Sequence, residues 1–332
     1  MEEITTIGLD IAKHVFQVHG VDAAGSVGIR RRLRRSEVMT FFSKLGPAVI
    51  GMEACATSHY WARELSALGH TVRLMPPHCV KPNVKRQKND MTDAAAICEA
   101  VTRPSMRFVP VKSQEQQAVL MLHRSRELLV RQHTMLVNAL RAHLAEFGIV
   151  LKQGKAGAAA VAALVEDAES SIFSMPVREA LLPLVEQLRH TEEWVARLEQ
   201  SIVEWHKSNP TSQRLASIPG IGPITASAIV ATITDARLFS SGRHLAAWLG
   251  LVPRQNSSGG KERLGGITKK GDGYLRKLLV IGANAVLRFA RKGEPKLNEM
   301  GEQPPDEKAA QGCGRGIGEQ DGKDQLGTPG AQ

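Results

Sequence analysis

Apolar and polar residues alternate through the first part of the chain. ITTIGLD (4–10) alternates weakly and is β-branched, and HVFQVHGV (14–21) alternates more clearly. GIRRRLRR follows after the turn residues at Ala24–Ser26. Period-two alternation bounded by turn residues predicts three consecutive antiparallel strands. From Ser36 to Leu45 the period becomes that of an amphipathic helix, with Ser36 as the expected N-cap. The short apolar run AVIGME (48–53) predicts a buried strand, and a helix follows from Ser58 to Leu68, ended by Gly69. TVRLMP (71–76) predicts a further strand, stopped by Pro76 and Pro77, and the Ala-rich DMTDAAAICEAV (90–101) a helix. The order βββ-α-β-α-β-α predicts a mixed sheet flanked by helices, an α/β class.

Beyond Ser113 the pattern is continuously helical to about Glu146 and rich in Arg, His and Gln. Glycines and alanines at 153–163 interrupt it, and a second long helical pattern runs from Val177 to Trp205. Two such helices predict an antiparallel arm, a helical hairpin. A second compact, mostly helical region begins at Asn209-Pro210. After Leu287–Arg291 the periodicity stops, and from Gly301 the chain is rich in Gly, Gln and Asp. Such a tail buries too little apolar surface to offset its ordering entropy and is expected to be disordered. A reading-frame change would leave the same abrupt, aberrant end. The expected division is 1–110, 111–208, 209–292, and a tail at 293–332.

Charge adds a partner to this outline. Lys and Arg outnumber Asp and Glu by 43 to 33, a net +10 with a pI near 9.6, which favours a polyanion. The cysteines Cys55, Cys79, Cys98 and Cys313 show no CxxC spacing and no disulfide framework, so a reducing cytoplasm is the expected location. The start MEEITTIGLD has neither the basic nor the long apolar region of a signal peptide. No run of about 18 apolar residues suggests a membrane span.

Four acids carry candidate chemistry. Asp10 ends the first strand and Glu53 the fourth, while Asp90 and Asp93 stand at i,i+3 spacing on one face of a helix start. Where strands one and four are neighbours, their ends and that first helical turn converge. Four hard oxygen donors there suit Mg²⁺, as a pair of ions roughly 4 Å apart, for in-line displacement at phosphorus. Each acid alone has a structural reading: a turn at Asp10, a solvated strand end at Glu53, an N-cap at Asp90, a dipole contact at Asp93. Glu53 resists that reading, because it follows VIGM where a buried strand is apolar.

The second region holds LASIPGIGPITASAIVA (215–231), whose PGIG turn between apolar helical segments is a helix-hairpin-helix signature. Gly220 and Gly222 let backbone approach a phosphate, which the following helix N-terminus binds without reading sequence; an ordinary tight turn is the alternative. Between a helix ending at Gly250 and one starting near Asp272 lies a basic glycine-rich loop. It carries Arg254, Ser257, Ser258, Lys261, Arg263, Lys269 and Lys270, cations suited to phosphate. Taken alone, Ser-Ser-Gly-Gly reads as a flexible turn. Arg124, Arg126, Arg131 and Arg141 on the first long helix, and the basic strand Arg30–Arg35, are further nucleic-acid surfaces or solvated faces.

GLDIAKHVFQVHGVD, VIGMEAC and KRQKNDMTDA together resemble the DEDD transposases of bacterial insertion sequences, the insertion-sequence one-ten group, over about residues 4–290. The resemblance implies a RuvC-like, ribonuclease H-like N-terminal domain with Asp10, Glu53, Asp90 and Asp93 as catalytic metal ligands, Mn²⁺ able to replace Mg²⁺. It implies a C-terminal domain whose serine becomes covalently joined to DNA; Ser257 is the first choice, and Ser258 the second because the doublet leaves the register open. It also implies donor and target DNA as substrates and a structured guide RNA as partner. Strand exchange between two DNAs implies a dimer or tetramer. Two rivals stand beside it. A sugar kinase or related ATPase also opens with GLDIA but needs a later glycine-rich phosphate hairpin, absent here. A non-catalytic DNA-binding scaffold would have no use for the four acids.

Overall fold

The structure is a computed structural model, and it describes residues 3–80, 90–150, 160, 163–167, 172–261 and 263–291. Five strands form one sheet: β1 (Ile4–Ile11), β2 (Val15–Asp22), β3 (Val27–Arg34), β4 (Val49–Glu53) and β5 (Thr71–Met75). Their order is β3-β2-β1-β4-β5. The first three pair antiparallel, and β1, β4 and β5 pair parallel. This is the mixed sheet that the alternation predicts, and its order is consistent with a ribonuclease H-like fold.

Strand alternation assigns each residue a face. Ile7, Leu9, Phe16, Val18, Leu33, Ile50 and Met52 join the core beneath α1 (Val38–Phe42) and α2 (Ser58–Ala67), with Phe42, Trp61 and Leu65. Each such buried side chain contributes roughly 1.5–3 kcal/mol. The other face is covered by α4 (Asp90–Val101), reached after the short α3 (Pro77–Val80). There Ile97, Ala100 and Val101 pack with Met75. Gly8 makes this possible: a Cβ at that position would lie 2.0 Å from the Ala94 carbonyl oxygen. Helix backbone therefore rests directly on the central strand.

The expected helix from Ser36 is shorter than its pattern. Arg35–Glu37 form a 3-10 turn and α1 follows only from Val38, so Ser36 lies inside the turn and caps nothing. Glu37 instead accepts a bond from the Arg34 backbone N–H.

The long helical patterns are α5 (Gln114–Ala145) and α6 (Met175–Ser208). Ser113 caps α5 in a capping box with Gln116. Contacts advance along α5 as they retreat along α6: Trp205 donates to Glu115, Arg126 to Glu199, and His133 meets Glu192. Leu136, Leu140 and Leu144 then pack against Leu181, Val185 and Leu188. The two helices run side by side in opposite directions.

The remainder comprises α7 (Pro210–Ala216), α8 (Pro223–Thr232), α9 (Gly242–Trp248), strands β6 (Pro253–Gln255) and β7 (Leu264–Ile267), and α10 (Gly273–Arg291). Ala228, Leu249, Tyr274, Leu275 and Leu278 form its core. The base of α5 enters this core through His123, which is buried with Nδ1 3.0 Å from the Tyr274 hydroxyl and Nε2 3.1 Å from Ser227 Oγ. Burial, with a smaller push from Arg126, lowers the pKa of His123 to about 4, so it joins α5 to this core as a neutral ring at ordinary pH. The expected tail, 293–332, lies outside the described residues.

Candidate functional site

Sheet register decides where the acids go. Gly8 of β1 faces α4, and Asp10, two residues on, faces the same way. In β4 a Cβ on Gly51 would touch Val101 of α4, so Glu53 also faces α4. Gly8 pairs with Gly51 and Leu9 with Met52, so the next step of the register places Asp10 beside Glu53, roughly 5 Å apart across neighbouring strands. The helix supplies its first turn from above. Cys98 lies against the Thr6 carbonyl and Ala94 over Gly8, so α4 rises toward the Asp10 end as it runs back to Asp93 and Asp90. Asp93 is half-buried in that turn. Asp90 is the first residue of α4, and its side chain lies outside the described residues.

The donor set suits a hard cation. Partial burial, and then the charge of Glu53 and of Asp10, push the thiol of Cys55 above its ordinary value. Both carboxylates therefore lie near one point beside the sheet edge. The carboxylates offer oxygen donors, which suit hard divalent cations. Among the described residues, no three His, Cys, Asp or Glu side chains gather closely enough to hold an ion. The structure thus brings Asp10 and Glu53 to one face, sets Asp93 on the helix above them, and does not close them into a finished cage.

A strained turn follows Glu53. Cys55 N–H donates to the Glu53 carbonyl and Ser58 Oγ to the Cys55 carbonyl. Thr57 then takes φ +69°, a left-handed conformation that costs a β-branched residue on the order of 1–3 kcal/mol. Nothing in the sequence pattern flags Thr57, because only the backbone angle reveals it.

The serine segment, read from composition as a turn, is one that two short strands close. Strands β6 and β7 pair antiparallel, and Ser258 bridges Lys261 around Gly259 and Gly260. Both glycines have positive φ, +57° and +77°, the signature of a tight hairpin turn. Asn256 N–H donates to the Arg263 carbonyl, and Arg263 N–H donates to Ser257 Oγ at 3.2 Å. Ser257 and Ser258 are both exposed, as are Arg254, Lys261, Arg263, Lys269 and Lys270. None of these five cations forms an ion pair among the described residues. The hairpin's base is fixed: a Cβ on Gly271 would fall 2.0 Å from the Trp248 carbonyl oxygen, and one on Gly250 2.7 Å from the Lys270 nitrogen. Its tip is open.

The two PGIG glycines divide their duties. Gly220, at φ +83°, packs against α10, where a Cβ on Gly282 would meet the Gly220 carbonyl oxygen at 1.9 Å. Gly222 has nothing within 4 Å of its missing side chain and caps α8. Of the arm cations, Arg126 is held by Glu199 and Arg124 lies 3.8 Å from Asp272. Asp272 itself caps α10 by accepting from Tyr274 and Leu275.

Comparison with known proteins speaks to the whole chain. A DEDD-type family model described as "Transposase" matches residues 7–149, and one described as "Transposase IS116/IS110/IS902 family" matches 212–298. A probable family 20 transposase of Pseudomonas aeruginosa is 52% identical over 86% of this chain and 85% of its own. The chain belongs to the IS116/IS110/IS902 family of transposases. The transposase for insertion sequence element IS1328 of Yersinia enterocolitica is similar at 40% identity, over 90% of this chain and 89% of its own. That for IS1111A of Coxiella burnetii is similar at 38%, over 89% and 81%. A pilin gene-inverting protein of Moraxella lacunata matches 22% of this chain at 35% identity. A transposase of this family is an enzyme that cuts and exchanges DNA strands, and the DEDD type depends on a divalent metal. Among the described residues no helix is long and apolar enough to cross a membrane.

Proposed function

We propose that this transposase moves its insertion sequence through a composite site, with the four acids holding Mg²⁺ and a hairpin serine attacking DNA. The observation that carries this reading is the shared face of Asp10 and Glu53, with the first turn of α4 above them. Asp10, Glu53, Asp90 and Asp93 are the residues that would hold the metal, as one or two ions. When bound, the metal lowers the charge barrier to attack at a phosphodiester. Ser257 Oγ, already oriented by the Arg263 N–H, attacks phosphorus; Ser258 is the second choice. An Oγ–P bond forms, the bond to one bridging oxygen breaks, the serine proton leaves to solvent, and the released oxygen takes up a proton. A hydroxyl of the second DNA strand then reverses the step and frees the serine. Gly222 and the open start of α8 would accept a backbone phosphate, with Arg254, Lys261, Arg263, Lys269 and Lys270 flanking the cut strand. Gly220 acts indirectly, by seating the turn on α10.

A structured RNA guiding the choice of DNA, and a dimer or tetramer joining two DNAs, complete the proposal. The test is cleavage of end-labelled insertion-sequence DNA in Mg²⁺ or Mn²⁺. Asp10→Asn should lower the rate by about 10²-fold or more, on the scale of losing a positioned catalytic group. Ser257→Ala should abolish the covalent protein–DNA adduct. Full activity in Asp10→Asn overturns the metal reading; an adduct retained by Ser257→Ala and lost in Ser258→Ala moves the nucleophile one residue. Sequencing of RNA that co-purifies with the protein tests the guide.

A further inference from the structure

Strand β3 is an edge of the sheet and carries arginine at 30, 31, 32 and 34. Its two faces are used differently. Leu33 lies in the core beneath α1 and α2, and Arg31, on the same face, stacks over Phe41 at 5.5 Å. Arg35, just past the strand, stacks over Trp61 at 5.0 Å. Alternation puts Arg30, Arg32 and Arg34 on the opposite face, the one that bears Asp10 and Glu53. Register makes the relation specific. Arg32 pairs with Gln17, and Gln17 pairs with Asp10, so these three stand in one row across the sheet. At about 4.8 Å per strand, Arg32 is roughly 10 Å from Asp10, with its neighbours about 7 Å away along β3.

All three side chains are exposed, and none forms an ion pair among the described residues. Glu37, three residues past Arg34, accepts from the Arg34 backbone N–H. Next to this row, burial and then Arg30 hold the His19 imidazole below its ordinary pKa, so His19 leaves the row's positive field unbroken at neutral pH. A guanidinium every second residue on an open edge, with no carboxylate to pair it, matches the repeating charge of a nucleic-acid backbone.

We propose that Arg30, Arg32 and Arg34 form a phosphate-binding track that leads one DNA strand across β2 to the acids of β1 and β4. The placement of the track rests on the reading of Asp10 and Glu53 as the catalytic edge. DNA rather than RNA is the occupant, because the row ends at the residues that act on DNA. A plainer role, a charged edge that blocks sheet-to-sheet pairing, would need the charges but no strand.

The experiment measures binding of the full chain to a fluorescent single-stranded DNA oligonucleotide, by anisotropy, across a salt series in metal-chelating buffer. Arg30→Gln/Arg32→Gln/Arg34→Gln should lower the slope of log K against log salt by about 2, at about 0.7 per lost phosphate contact. Arg32→Gln alone should lower it by about 0.7, so the result survives if the triple variant folds poorly. Replacing all three with Lys keeps the charges and should restore most of the slope. Arg31→Gln/Arg35→Gln, on the stacked face, should leave it unchanged. An unchanged slope in the triple and single variants overturns the track, as does a loss confined to an RNA oligonucleotide of the same sequence. Asp10→Asn serves as the second arm: it should lower cleavage by about 10²-fold or more and keep the slope. Normal cleavage in Asp10→Asn would sink the catalytic reading, while the slope reports on the track itself.

Discussion

The two chemistry-bearing regions are built in opposite ways. The acids stand on strand ends and a helix start whose positions follow from buried register: Gly8 under Ala94, Gly51 under Val101, and Ile7, Leu9, Ile50 and Met52 fully buried beneath them. The serines stand on a hairpin in which every described residue from Pro253 to Ile267 is exposed, held only at its base by Gly250 and Gly271. A metal site needs donors fixed to within fractions of an ångström, which close packing supplies. The proposed nucleophile must reach one DNA strand and release it to another, and an exposed hairpin leaves it open to both. On the proposed reading, the closely packed half holds the metal and the exposed half presents the reacting atom.

The contrast is broken or sharpened most strongly by adding one methyl group to each half. Gly8→Ala drives a Cβ into the Ala94 carbonyl, so urea unfolding should show a loss of about 3 kcal/mol or more. Gly259→Ala, at φ +57° with open space around it, should lose only about 1 kcal/mol, the strain of its backbone angle. Equal losses would mean that the sheet is not the rigid partner.

Next in size is a pH effect at the joint between arm and serine region. Folded His123 titrates near pH 4 and an unfolded histidine near 6.5, so the unfolded chain binds the extra proton between those values. Stability from this group is complete above pH 6.5 and is lost as pH falls toward 4. The loss is on the order of 3 kcal/mol at about 1.4 kcal/mol per pKa unit. Half-buried His59, also lowered to about 4 by burial and then by Lys112 and Arg63, acts in the same direction with a smaller effect. Denaturant melts of the wild type and His123→Gln across this window should show the step shrinking in the variant.

Smaller effects follow. Arg126→Ala breaks the partly buried pair with Glu199 and should cost about 1 kcal/mol, loosening α5 from α6 without touching the sheet. Thr57→Gly relieves the left-handed turn after Glu53. It should raise stability by up to about 1 kcal/mol while lowering the DNA cleavage rate, because Glu53 loses its fixed exit. A variant that is both more stable and fully active would show that the strain has no part in the site.

The sequence carried some of this and concealed the rest. Period-two alternation located β1 through β3 because one face of each is buried, and Gly69 and the prolines after Met75 marked ends. The extent of α4 was readable from its Ala-rich run, and α5 from its continuous helical pattern. That Asp10 and Glu53 share a face follows from strand order, which a one-dimensional pattern suggests but does not encode. Ser36 misled, because a good cap residue lost to the tighter turn made by Arg34 and Glu37. The serine hairpin was hidden because Gly-Gly serves a flexible loop and a tight turn equally, and strands of three and four residues have too little alternation to register. Gly282 and His123 became visible only when distant segments met, Gly282 at Gly220 and His123 between Ser227 and Tyr274.

The crossing of Gly220 and Gly282 has a genetic consequence. A nonsense lesion anywhere before codon 282 removes the last glycine on which the PGIG turn rests, and so damages an element more than 60 residues upstream. Nor can either glycine drift alone, since any larger residue at one site meets the main chain of the other, which no trimming of a side chain relieves. A substitution at either of these two codons should therefore inactivate a copy of the element at once.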